Sequence, residues 1–132
     1  MGPANTRHAR LQGKIAAELA RQLPAGEVFT EVPVLTDIGV RVPDVAWASQ
    51  TFVGTHGETT PYPRAPEICV EIVSASDTDA EMQEKTRAYL AAGASEVWLV
   101  SESGAVRTFD EAGEQGASRY PVALDLPAPI KE

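Results

Sequence analysis

Two short apolar runs each carry one carboxylate, and this pairing constrains the chain more than any other feature. The first run is Val42–Trp47, V-P-D-V-A-W, with Asp44 directly after a proline. The second is Pro66–Ser76, P-E-I-C-V-E-I-V-S-A-S, with Glu71 in its middle. A carboxylate inside an apolar strand is costly unless something pairs with it. Two such strands side by side would supply the acids of a metal site built on a sheet. Lys85, on a charged helical stretch that follows, would supply a positive group beside them.

A chain of 132 residues fits one domain over residues 1–132 with a core of its own. No apolar run approaches the ~20 residues of a membrane span, so no membrane partner is expected. The N-terminus is polar and basic and does not read as a signal peptide. A single cysteine, Cys69, leaves no internal disulfide and fits a reducing, cytoplasmic setting. Its place in mid-strand suits a small buried apolar residue rather than a nucleophile. Zinc does not fit one cysteine and two histidines, His8 and His56, that lie far apart in sequence.

The net charge of −8 argues against a protein that coats nucleic acid in general. The charge is uneven, however. Residues 1–23 carry Arg7, Arg10, Lys14 and Arg21 against Glu18 alone, and most acids lie from Glu67 onward. A basic first helix on an acidic body suits approach to a phosphate backbone. A bound divalent cation would cancel part of the local negative charge.

Residues 6–23 predict a helix, because Leu11, Ile15, Leu19 and Leu23 recur every four positions. Asn5 or Thr6 is placed to cap it, and Pro24-Ala-Gly26 stops it. Glu27–Leu35 and Val40–Ala48 read as two hairpinned strands around a turn at Asp37-Ile-Gly39. Ser49–Ala65, rich in Thr, Gly and Pro, reads as a long loop. Pro66–Ser74 is a third strand, with Ile68, Val70 and Ile72 on one face and Glu67, Cys69, Glu71 and Val73 on the other. Both faces are largely apolar, so the strand is central. Ser76 or Asp77 is placed to cap a helix from about Thr78 to Ala92, which Gly93 ends. Glu96–Ser101 and Ala105–Asp110 complete the strands, the former parallel to the third strand through the helix crossover. The expected fold is α/β, a mixed sheet flanked by helices in α-β-β-β-α-β-β order, with an irregular tail. Sheet edges and apolar surface on so small a domain suggest a symmetric homodimer.

On its helix Lys85 lies between Met82 and Tyr89 and borders the apolar side formed by Met82, Thr86, Tyr89 and Leu90. Spacing alone favours an exposed lysine paired with Glu81.

Three segments together carry a resemblance: V-P-D-V-A, P-E-I-C-V-E-I-V-S-A-S-D, and K-T-R-A-Y-L-A-A-G-A-S-E-V-W-L-V. Over roughly residues 8–110 the chain resembles the Uma family, bacterial domains of unknown function grouped with the restriction endonucleases. That family falls in the PD-(D/E)XK nuclease superfamily. The resemblance implies a restriction-endonuclease-like sheet, with Pro43-Asp44 as the PD element and Glu71 as the second acid. The superfamily lysine would fall at position 73, here Val73, and Lys85 occupies the place to which this family moves it. His8 resembles a histidine that often opens the first helix. The family's extra acid upstream of that helix has no counterpart here.

The chemistry implied is Mg²⁺-dependent hydrolysis of phosphodiester bonds in DNA, with Mn²⁺ as a substitute. Asp44 and Glu71 would hold the cation, the backbone carbonyl of Ile72 would be a further ligand, and Lys85 would orient water or stabilise charge. Other candidates read more simply. Glu67 lies at a strand start where it is solvated or extends the site. Glu18 is exposed or replaces the missing acid. His8 faces the site or caps the core. Gln83 points elsewhere on its helix. Ser74, Ser76 and Asp77 suit a strand-to-helix turn, having no partnered base. Trp98 and Tyr89 read as core. The rival to an enzyme is a non-catalytic relative serving as an oligomeric binding or interaction module, and a third reading is a metal-binding protein without a nucleic-acid role.

Overall fold

Leu11, Ile15 and Leu19 are fully buried, and their spacing fixes how the first helix lies. In the computed structural model, which describes residues 5–130, this is α1, Thr6–Gln22. Asn5 caps it, its side chain accepting from the His8 N–H. The other elements are β1 (Gly26–Thr30), β2 (Val34–Thr36), β3 (Gly39–Arg41), β4 (Val45–Ser49), α2 (Gln50–His56) and β5 (Ile68–Ile72). They are followed by α3 (Asp79–Ala91), β6 (Glu96–Val100), β7 (Val106–Asp110) and β8 (Gly113–Gln115).

Six strands form one sheet in the order β1-β4-β5-β6-β7-β8. The β5–β6 pair is parallel, joined through α3, and the other pairs are antiparallel. α1 covers one face, where Leu11, Ile15 and Leu19 meet Val45, Trp47, Ile68, Val70 and Trp98. Tyr120, Val122, Leu124 and Leu126 of the tail pack on the same cluster. Each such leucine contributes about 1.5–3 kcal/mol through burial. On the other face Met82 and Tyr89 of α3 pack on Cys69, Val97 and Leu99. Gly26 permits the close approach of the start of β1 to its neighbour β4, since a Cβ there would overlap the Ala48 carbonyl and the Trp47 ring.

The alternation expected along the third strand holds, with Ile68, Val70 and Ile72 towards α1 and Cys69 towards α3. Several expectations need correction. The two long hairpinned strands are four short ones. Glu31 adopts φ 57°, and Pro33 follows, so the chain leaves the main sheet after β1. β2 and β3 then form a separate two-stranded hairpin before β4 returns to pair with β1. The long loop contains α2, capped by the Ser49 hydroxyl and anchored by buried Phe52. α3 is capped by Thr78, not Ser76 or Asp77, in a reciprocal capping box with Glu81. β8 extends the sheet beyond the last expected strand.

Candidate active site

Asp44 stands one residue before β4, and Ile72 ends the neighbouring β5. The antiparallel register pairs Val45 with Val70. Carried two residues further, it puts Pro43 opposite Ile72, but Pro43 has no N–H to give to the Ile72 carbonyl. The Ile72 N–H turns instead to the Asp44 carboxylate, donating to Oδ2 at 2.7 Å. Val73 N–H, the next along, points the other way and donates to Val100. The proline therefore opens the ladder where the acid begins. A side chain replaces a backbone partner, and the Ile72 carbonyl is left on the Asp44 side without a donor from residue 43.

α1 reaches the same point. His8 Nε2 lies 3.2 Å from Asp44 Oδ1. One turn later, Gln12 Nε2 donates to the Asp44 backbone carbonyl at 2.9 Å. Burial raises the Asp44 pKa, opposed by the Ile72 N–H and by the nearby His8 and Lys85.

Glu71 is 4% exposed in the middle of the sheet. The buried Tyr89 hydroxyl donates to its Oε2 at 2.6 Å. Lys85 Nζ lies 3.7 Å from its Oε1. Burial is the main cause that pushes the Glu71 carboxyl up to about 7; Lys85 and Tyr89 pull it down, and Asp44 and Asp77 add to the rise. Lys85 thus pairs with Glu71 rather than Glu81, and its charge acts on both acids. The three residues expected in the site are brought together at one end of β4 and β5.

His8 faces the site. Glu67 accepts from the N–H and hydroxyl of Ser49 at the opposite end of β5, about 13 Å along the strand from Glu71. Glu18 pairs with Arg21 and Lys14 on α1 and accepts from Gln22. Ser74 and Asp77 form the expected turn, with the Ser74 N–H on the Asp77 carboxylate. Gln83 lines a separate groove between α3 and β7. Trp98 is core, and its indole N–H donates to buried Glu96. Cys69 is wholly buried, its thiol pushed up by burial. Tyr89 is core as expected, but it is also a partner of the site. Gln12 was missed. The signal was its place four residues after His8 beside the apolar stripe.

The donors fit a hard divalent cation. Asp44 and Glu71 offer carboxylate oxygens and Ile72 a carbonyl, whereas zinc prefers nitrogen and sulfur. Among the described residues no group of three or more His, Cys, Asp and Glu side chains is gathered that could hold a metal ion. Mg²⁺ commonly needs fewer, one or two carboxylates completed by water and substrate phosphate. The feature that favours a cation is the burial of Glu71 directly across the strands from Asp44, which also raises its carboxyl. Positive charge beside it would offset both its burial and its repulsion from Asp44. Among the described residues no helix is long and apolar enough to cross a membrane.

The family model Uma2, described as "Putative restriction endonuclease", matches residues 1–128. The chain is similar in structure to a protein from Anabaena variabilis ATCC 29413, described as "a putative nuclease belonging to DUF820". The TM-score is 0.76 at 18% identity, covering 97% of this chain and 75% of that one. That likeness establishes the expected fold, a nuclease-like mixed sheet flanked by helices. A comparison with curated proteins finds no match. Because the family model spans nearly the whole sequence, the chain belongs to the Uma2 family.

Proposed function

We propose that this protein is a nuclease that hydrolyses phosphodiester bonds in DNA, using Mg²⁺ or Mn²⁺. The observation that carries the reading is the buried Glu71 carboxylate, held between Tyr89 and Lys85 and beside Asp44. A buried acid whose carboxyl is pushed up to about 7, with a lysine at 3.7 Å, suits a site for a cation and a phosphate. Family membership supports the same reading.

Bound metal would lower the pKa of a coordinated water and polarise the phosphate. Asp44 and Glu71 would hold it, with the Ile72 carbonyl as a further ligand. His8 and the Ile72 N–H fix the Asp44 carboxylate, and Tyr89 fixes Oε2 of Glu71. Lys85 would orient the attacking water or stabilise negative charge growing on the phosphate oxygens. The packing around Glu71 keeps bulk water from its inner side.

Melting curves with and without Mn²⁺, together with cleavage assays on duplex, single-stranded and branched DNA, test this. Lys85→Ala should keep the Mn²⁺-induced stabilisation and lose cleavage by about 10²–10³. Lys85→Met should do the same while retaining side-chain volume. Glu71→Ala should lose both responses. Wild-type protein that binds Mn²⁺ and cuts nothing favours the non-catalytic interaction module. Equal responses of wild type and Asp44→Ala to Mn²⁺ end the metal reading.

The same reading takes the chain as one domain that acts as a homodimer, two sites serving two strands. Leu35 and Val40 of the β2–β3 hairpin and Val42 just after it support it, being 44–48% exposed. A reducing cytoplasmic setting agrees with the free thiol of Cys69.

A further inference from the structure

The main chain at Asp44 is poorly held by the sheet, and something else must fix it. On the β5 side, Pro43 ends the ladder. On the β1 side, the Glu31 N–H reaches the Asp44 carbonyl only at 3.3 Å, from a residue with φ 57°. The shorter bond to that carbonyl comes from the Gln12 side chain, at 2.9 Å. The same amide nitrogen also donates to Glu31 Oε2 at 3.2 Å. Gln12 therefore ties three things together: α1, the acid's own peptide, and the point where β1 leaves the sheet.

Its relation to His8 gives this tie a direction. The two residues are four apart on α1 and so share a face. His8 holds the Asp44 carboxylate, and Gln12 holds its backbone. A carboxylate is aimed by its Cα position and χ angles together, and α1 constrains both ends of that lever. With the Gln12 donor removed, the Asp44 carbonyl keeps only the long Glu31 contact. The peptide is then less constrained, and the aim of the carboxylate is left to His8 and the Ile72 N–H alone.

We infer that Gln12 is a positioning residue for the metal-binding carboxylate of Asp44. The inference rests on the nuclease reading above, and it goes further by giving a role to a residue outside the acid–acid–lysine set. Groups that orient metal ligands commonly change metal affinity or activity by about 10–100-fold when removed. The same range is expected here.

The experiment compares full-length wild type with Gln12→Met, which keeps side-chain length and loses the donor, and Gln12→Glu, which sets a carboxylate against the Asp44 carbonyl and Glu31. Mn²⁺ affinity is measured by calorimetry, and urea stability is measured without metal. Cleavage is resolved into kcat and KM for DNA. The expected result is Mn²⁺ binding weakened about 10-fold or more in Gln12→Met and further in Gln12→Glu. kcat should fall and the KM for DNA should stay put, with metal-free stability of Gln12→Met close to wild type. Mn²⁺ affinity of Gln12→Met within twofold of wild type overturns the inference, whatever happens to stability. So does loss of metal-free stability in proportion to lost affinity, which marks a structural role only. Wild type that fails to bind Mn²⁺ overturns the nuclease reading itself, and with it this one; that outcome is read on a different protein.

Discussion

Replacing Glu71 by glutamine should make the metal-free protein more stable at alkaline pH. Burial pushes this carboxyl from 4.5 to about 7. The native state therefore keeps the Glu71 proton to higher pH than the unfolded chain does. Between these two values folding takes up a proton, so stability falls as pH rises through the window. The penalty is absent below about pH 4.5 and complete above about pH 7. A displacement from 4.5 to about 7, at ~1.4 kcal/mol per unit, amounts to about 3 kcal/mol. Glu71→Gln keeps the shape and an acceptor for the Tyr89 hydroxyl, but carries no titrating group. Its amide facing Lys85 adds an offset that does not depend on pH. The measurement is urea unfolding of both proteins in chelator at pH 5, 6, 7 and 8. The stability of the variant minus that of wild type should climb by about 2–3 kcal/mol from pH 5 to pH 8, because part of the effect is already present at pH 5. Saturating Mn²⁺ should then raise wild type and leave the variant behind, because the proposed cation site exists only in the folded state. A difference that stays flat with pH would refute the argument, since it would mean that Glu71 does not titrate in this window.

Three further outcomes follow from the same geometry. Tyr89→Phe strips a buried carboxylate of its donor and should cost about 1–3 kcal/mol at pH 8 and less at pH 5, read from urea melts. Pro43→Ala restores an N–H opposite Ile72, which would occupy the proposed carbonyl ligand; Mn²⁺ affinity should fall about tenfold, and unchanged affinity would remove Ile72 from the ligand set. Val40→Glu, on the exposed hairpin, should shift light-scattering mass from dimer to monomer, and a wild-type monomer at micromolar concentration would discard the dimer.

The central strand was legible because burial on both faces leaves an apolar run in which one acid stands out. The α1 stripe was legible for a similar reason: four leucine or isoleucine positions share one face. α2 was hidden because Q-T-F-V-G-T-H is seven residues of β-branched, glycine and polar types, and Phe52 alone anchors it. The division of the expected hairpin into β1 to β4 was hidden because it depends on one backbone angle at Glu31, which sequence does not encode as it would with glycine. At the site, Asp44 and Glu71 were readable as charges in the wrong place. Lys85 needed the family resemblance to decide between Glu71 and Glu81. His8 stood open between site and core, and Gln12 was passed over, because polar residues beside an apolar stripe ordinarily face water. Here the sheet ends beneath them, and the helix projects past its core contacts to reach Asp44.

The bond from Ile72 to Asp44 also makes one main-chain amide a reporter. An N–H inside a sheet is ordinarily held by a carbonyl that does not titrate. At Ile72 the acceptor is a carboxylate oxygen, so protecting that hydrogen from solvent depends on a side chain's charge and aim. Deuterium uptake at this single position would follow the local order of the acid even in a protein that never turns over. The proposed site would then be visible as a slow or fast proton on the backbone next to it, without substrate, product or colour.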